Sequence, residues 1–182
     1  MRYMGSAAIV VGGGIGGLSA ALALHRIGWR VTVLESAPEF GEVGAGLTLM
    51  TNGLRGPLSS YVKGRVAVLG DAAHAMTPNL GQGAGQAIED AVVLGEVCAG
   101  ATELSTALEA YDKHRRPRTQ RISRAAYRAS RFGQQLHHPL AVAFRNAALR
   151  LTPVRVSSRW MAGIVDWQPP RRDRAGGHAP GT

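Results

Sequence analysis

Five glycines in six positions, Gly12-Gly13-Gly14-Ile15-Gly16-Gly17, constrain this chain more than any other stretch. They follow a short β-branched run, Ala8-Ile9-Val10-Val11, and open an alanine- and leucine-rich segment that reaches Leu24, so the local order is strand, tight turn, helix. Gly28 is a helix stop, and Arg30-Val31-Thr32-Val33-Leu34 alternates as a second strand ending on Glu35, 23 positions after Gly12. A dinucleotide-binding fingerprint needs all of these parts in this order. Gly12 permits the sharp exit from the strand, Gly14 lets backbone approach a pyrophosphate without a Cβ in the way, and Gly17 permits close helix packing. The N–H groups of the first helical turn, from Ile15 onward, face the phosphates with the positive end of the helix dipole. Glu35 is placed to accept hydrogen bonds from ribose hydroxyls and to repel a 2′-phosphate.

Residues 7–24 carry no charge and approach the length of a short membrane span, but the glycines clustered at their centre argue against one. No small-residue cleavage site follows a basic start, so a signal peptide is not expected either, and the expected location is cytoplasmic. The lone Cys98 excludes an internal disulfide and fits a reducing compartment. The six histidines lack metal-ligand spacing, so no metal site is expected. A chain of 182 residues with 45% hydrophobic content suits one domain with an appendage.

Past Glu35 the chain is polar and turn-forming, then Gly44-Ala45-Gly46 leads as a loop into a short apolar run. Residues 51–64 hold glycine, proline and serine in a pattern too loose to bury a strand, and form the candidate linker. Arg65-Val66-Ala67-Val68-Leu69 then reads as a third strand, ending in Gly70-Asp71. A loop with Pro78, Gly81, Gln82 and Gly83 follows, and from Gln86 the apolar positions Ala87, Ile88, Ala91, Val92 and Leu94 recur at helical spacing, with Glu89, Asp90 and Glu96 on the other side. A helix N-terminus therefore opens directly after a second glycine-rich loop, and its dipole favours negative charge there.

Gly70-Asp71-Ala72-Ala73-His74, Pro78-Asn79-Leu80-Gly81-Gln82-Gly83 and Glu89-Asp90 together closely resemble the second flavin motif of the FAD-dependent aromatic-ring monooxygenases, the single-component flavoprotein hydroxylases. The first fingerprint, the Gly44-Ala45-Gly46 loop, Tyr111, Arg115-Arg116-Pro117-Arg118 and Asp166 fit the same order. The resemblance implies that Gly12, Gly14, Ile15 and Gly17 hold the FAD pyrophosphate and that Glu35 holds the adenosine ribose. It implies that Asp71 binds the ribityl chain or, through water, the pyrophosphate. Pro78 and the backbone of Gly81, Gln82, Gly83 and Ala84 would lie along the isoalloxazine, near the edge where reduced flavin is negative. Arg55 matches an arginine near the flavin, and His74 is expected to pack or hydrogen-bond locally. NAD(P)H is the implied transient reductant and a small aromatic molecule the implied substrate, with catalytic residues unassigned. An NAD-dependent dehydrogenase would share the first fingerprint but leaves the second stretch unexplained.

In members of that family a long segment separates the two glycine-rich regions, whereas residues 47–65 span the interval here and no Asp-Gly pair occurs in the chain. The absent segment normally carries an Asp-Gly flavin motif and the antiparallel sheet that forms the substrate pocket. Hydroxylation in this family requires a closed, dry cavity, so its loss implies uncoupled peroxide formation and a bared sheet. The alternative is a non-catalytic FAD-binding remnant, or a subunit whose pocket a partner or a second copy completes.

Charge is uneven: residues 1–112 hold 6 Lys+Arg against 10 Asp+Glu, and residues 113–182 hold 15 against 2. Arg118, Arg121, Arg124, Arg128 and Arg131 fall on one helical stripe, read as the solvated face of a helix packed on the FAD domain in preference to a phosphate or lipid surface, because aromatic interleaving and a nucleic-acid motif are both absent. Pro117 is expected near a helix start. Leu140, Val142, Phe144, Leu149 and Trp160 belong to two further amphipathic units that suit a membrane surface or a dimer face. The expected architecture is α/β: a Rossmann-like FAD-binding domain over residues 1–112 with a small parallel sheet (7–12, 30–35, 65–70) and helices at 15–27, 84–98 and 104–132, the substrate-binding sheet being absent. A helical region over residues 113–168 packs on it, and residues 169–182 form a disordered tail.

Overall fold

A computed structural model of the chain describes residues 6–38, 56–134, 136 and 138–170. Strands β1 (Ala7–Val11) and β2 (Arg30–Leu34) pair in parallel, Ala7 opposite Arg30 and Val11 opposite Leu34, with helix α1 (Ile15–Arg26) as the crossover. This is the expected βαβ unit, since parallel neighbours cannot be joined by a tight turn. The turn into β2 is closed by Gly28 at φ 91°, whose N–H donates to the His25 carbonyl at 2.9 Å.

The third parallel strand expected over residues 65–70 does not form. Val66–Ala67 (β4) pairs antiparallel with Val62–Lys63 (β3), in a sheet separate from β1 and β2. Gly64 at φ 58° followed by Arg65 makes the two-residue turn, with positive φ at the first central position only, the pattern that matches the twist of a hairpin. A local turn therefore won over a long-range parallel pairing. The reading of residues 51–64 as uniformly loose is corrected here too: residues 56–60 carry no strand or helix, but Tyr61 is 1% exposed and belongs to the core.

Helix α2 (Asp71–His74), a 3-10 turn (Pro78–Leu80) and helix α3 (Gly83–Gly100) follow. Helices α1 and α3 cross through small residues. Ala20 and Ala91 are buried between them, and a Cβ on Gly95 would lie 3.0 Å from the Ala23 Cβ, so the backbones approach closely. Leu24, Trp29, Val93, Leu94, Cys98, Leu108 and Tyr111 complete the core around this crossing. Burial pushes the Cys98 thiol up to about 11, which leaves it protonated and inert at neutral pH.

Helix α4 (Leu104–Gln134) runs unbroken through Pro117, against the expectation that this proline marks a helix start. A mid-helix proline removes one backbone hydrogen bond and strains the preceding turn. Side-chain anchors on both flanks offset that cost: Arg115 and Arg116 are ion-paired before it, and Arg118 and buried Thr119 are bonded after it. Residue 112, the expected end of the first domain, lies inside this helix. Helices α5 (Pro139–Leu151) and α6 (Val154–Val165) close the described chain, and Trp167 packs on the core. The Gly44-Ala45-Gly46 loop, Arg55 and residues 171–182 of the expected tail lie outside the described residues.

Candidate functional site

At the carboxyl ends of β1 and β2 the first glycine loop meets Glu35. Gly12, at φ 103°, donates its N–H to the Leu34 carbonyl at 2.8 Å and turns the chain into α1. Gly17 is where the sequence argument about close packing is sharpest: a Cβ there would collide with the Gly12 carbonyl and touch Val10 Cγ1 at 3.3 Å. A Cβ on Gly12 or Gly14 would meet nothing within 4 Å, so the outer side of the loop is open. Helix α1 has no side-chain N-cap and no acidic residue in its first turn, leaving the positive end of its dipole uncompensated.

Glu35 is fully exposed yet well bonded. One carboxylate oxygen accepts the Gly13 N–H, and the other accepts the N–H groups of Ser36 at 2.7 Å and Ala37 at 3.0 Å together with the Ser36 hydroxyl at 3.1 Å. The Ala37 N–H first, then Gly13 and Ser36, hold its pKa down to about 2. A permanently ionised carboxylate thus sits at the lip of the loop.

The second loop is built differently. Gly70, at φ 58°, turns β4 into α2 and leaves Asp71 exposed at the helix start. Pro78 is exposed in the 3-10 turn, and Gly81 at φ 62° ends it in a left-handed conformation with its N–H on the Pro78 carbonyl at 2.8 Å. Gln82 precedes α3, which also begins at Gly83 and Ala84 without a side-chain cap or an acidic residue in its first turn. Two buried polar atoms between the loops' ends, His74 Nδ1 and Thr77 Oγ1, have no hydrogen-bond partner among the described residues.

The two loops come together. A Cβ on Gly16 would lie 2.8 Å from Leu69 Cδ1, 3.3 Å from Ala87 Cβ and 3.9 Å from Gly70 Cα, so the first turn of α1, the Gly70-Asp71 turn and the start of α3 converge. Two uncapped helix N-termini facing one region favour an elongated anion across them.

Beneath the second loop lies a buried charge network that sequence reasoning misplaced. Asp90, expected on the polar side of α3, is 0% exposed. Its Oδ2 accepts the Gly70 N–H at 2.9 Å and contacts His74 Nε2 at 2.5 Å, and its Oδ1 accepts Arg115 Nε at 2.7 Å. Arg115, 1% exposed, also donates to Glu89 Oε2 at 2.7 Å, to Gln86 Oε1 at 2.9 Å and to the Gln86 carbonyl at 3.2 Å. Arg118, expected on the solvated stripe, instead pairs with Glu89 at 2.7 Å and donates to the Ile164 carbonyl, while Arg121, Arg124, Arg128 and Arg131 are exposed as expected. Tyr111 adds a hydrogen bond to the Val68 carbonyl at 2.9 Å. Helix α4 thus fixes the height and angle of Gly70 and of the start of α3. The pairing of an acid-acid dipeptide on one helix with Arg115 and Arg118 on the next was the available signal. His74 bonds locally, as expected.

A cavity of about 150 Å³ is lined by Val93, His114, Arg115, Trp167, Gln168 and Pro170. None of these belongs to a glycine loop, and the volume is below the ~300–1,000 Å³ of typical ligand pockets. Among the described residues the only sheets are β1–β2 and β3–β4, no group of metal-binding side chains occurs, and no helix is long and apolar enough to cross a membrane.

Comparison with known proteins finds two adjoining family matches: residues 10–55 match an NAD(P)-binding Rossmann-like domain and residues 57–126 match an FAD binding domain. The chain is 50% identical over 74 residues to salicylate hydroxylase of Pseudomonas putida, which covers 38% of this chain and 17% of that protein. It is 46% identical over 80 residues to aurachin C monooxygenase/isomerase of Stigmatella aurantiaca, covering 44% of this chain and 21% of the relative. The crystal structure of Klebsiella pneumoniae HpxO complexed with FAD and uric acid superposes with a TM-score of 0.51 at 34% identity, over 60% of this chain and 27% of that one. The matched parts are therefore about a fifth to a quarter of the length of these relatives.

Proposed function

We propose that this chain, whose two nucleotide-binding segments are similar to those of FAD-dependent monooxygenases, binds FAD across its two glycine loops and acts as an NAD(P)H oxidase of uncoupled monooxygenase type. The convergence of two uncapped helix N-termini at Gly16, Gly70 and Ala87 is the observation that carries this reading. The N–H groups of Gly14 and Ile15 would bind the pyrophosphate, with Gly12 and Gly17 setting the loop that presents them. Glu35 would accept hydrogen bonds from the adenosine ribose, and Asp71 would bind the ribityl chain or a pyrophosphate-bound water. Pro78 and the backbone from Gly81 through Gln82, Gly83 and Ala84 would line the isoalloxazine, the start of α3 offsetting negative charge at its N1 and O2 edge. FAD, when bound, would supply the redox chemistry between NAD(P)H and O₂. Among the described residues the two short sheets offer nothing that would exclude water around the reacting edge. Hydrogen peroxide is therefore the expected product, and hydroxylation of a small aromatic substrate would need a pocket contributed by a partner or a second copy. In this reading residues 1–112 form the cofactor-binding unit and residues 113–168 its helical support.

The test starts with the visible spectrum of the purified chain and the mass of the released cofactor. A stoichiometric FAD spectrum, with NAD(P)H consumption matched by peroxide, supports the proposal. A colourless protein that takes up no added FAD sinks it and leaves a non-catalytic remnant. Hydroxylated product in excess of peroxide would overturn the uncoupled assignment.

A further inference from the structure

Helix α5 is turned inside out. Its apolar residues Leu140, Phe144, Ala147 and Leu151 recur at steps of four, three and four, which places them on one face, and all four are exposed, the three large ones by 75% or more. None of its residues is buried. The side that approaches α4 is marked instead by half-buried Arg145, which donates to the Gly133 carbonyl at 2.7 Å. Helix α6 repeats the arrangement. Val154, Ser158, Met161 and Val165 recur with the same steps and are exposed, while Ile164 is buried toward the body.

The charge within the two helices is of one sign, with the acidic Asp166 following at the C-cap of α6. Residues 139–165 contain Arg145, Arg150, Arg155 and Arg159 and no Asp or Glu. Arg150, Arg155 and Arg159 are exposed and have no acidic partner among the described residues. A two-fold contact of this face with the same face of a second copy would bring four like charges against these four. A nucleic acid would meet the arginines but leave the apolar stripes in water. An anionic bilayer satisfies both features, because the apolar stripe enters the headgroup–acyl boundary while flanking arginines reach lipid phosphates on flexible apolar stems.

We propose that helices α5 and α6 dock this protein on anionic phospholipid surfaces, lying in the interface without crossing the bilayer. The proposal is independent of FAD binding.

Co-sedimentation of the full 182-residue chain with vesicles of phosphatidylcholine, with and without phosphatidylglycerol, tests it. Binding is expected to the phosphatidylglycerol vesicles, with little to phosphatidylcholine alone, and should weaken as salt rises. The triple variant Leu140→Ser, Phe144→Ser, Leu151→Ser changes exposed side chains only, so its circular dichroism should match the parent, while vesicle affinity falls at least tenfold. Arg155→Gln and Arg159→Gln should each cost about fivefold, and they serve as the second probe if the triple variant misfolds. Three results would overturn the proposal: no binding to anionic vesicles, binding that survives the serine substitutions in a folded protein, or loss of a dimer by those substitutions with vesicle affinity unchanged.

Discussion

The two glycine loops sit on opposite kinds of support. The first, between β1 and α1, is held by backbone geometry and by an exposed carboxylate. Gly17 presses on the Gly12 carbonyl, and Glu35 bonds the loop from the solvent side. Beside it the strand residues Ile9 and Val11 are 70% and 82% exposed, so little packing reinforces that end. The second, between β4 and α3, is held from below by Asp90 and Arg115, both withdrawn from water. The difference teaches how one site divides its work. Charge proposed to meet a ligand stays hydrated and available, whereas charge that fixes the scaffold is buried and fully bonded.

The strongest way to break this comparison is to remove Arg115. Arg115→Met would leave Asp90 and Glu89 without their buried partner, with an expected loss of about 3–5 kcal/mol, read as a fall in the urea midpoint. A stability within ~1 kcal/mol of the parent would show that the second loop does not depend on the network.

Gly17→Ala and Gly14→Ala separate geometry from ligand contact within the first loop. The added Cβ at position 17 meets backbone and should cost about 1–3 kcal/mol, offset in part by better helix propensity. At position 14 the backbone φ is −72° and the space is open, so the fold should keep its melting temperature while FAD titration shows at least about a tenfold weaker Kd. Equal effects of the two substitutions on stability would contradict the geometry.

Tyr61→Phe removes the hydrogen bond to Thr119 at 2.7 Å, which ties the hairpin region to α4. About 1 kcal/mol is expected, or roughly 2–4 °C in melting temperature. The smallest effect on stability belongs to Glu35→Gln, because the side chain is in water. Its pKa is depressed, so what it contributes is present above the ordinary value of 4.5 and lost as pH falls through about 2. A carboxyl resonance titrating near 4.5 by NMR would mean that the Gly13, Ser36 and Ala37 contacts are not formed, while loss of FAD affinity in the variant at unchanged melting temperature would support the ribose role.

The chain's local instructions were legible from the residues. The βαβ unit, the helix starts after both glycine loops and the boundaries of α3 and α4 follow from nearest-neighbour chemistry, namely glycine dihedrals, β-branched runs and apolar spacing. The two glycine turns were legible as well, and the fold brings Gly16, Leu69, Gly70 and Ala87 together. Tertiary structure alone decided three things. It paired Val66 with Lys63 and Ala67 with Val62, since closing a two-residue loop costs less entropy than a distant parallel pairing. It buried Asp90, because Arg115, on a helix more than twenty residues away, supplies the charge that makes burial tolerable, with the Gly70 N–H and His74 completing its bonds. It also turned the apolar stripe of α5 outward, a choice that periodicity cannot reveal, because a helical wheel defines a face but not which neighbour that face meets.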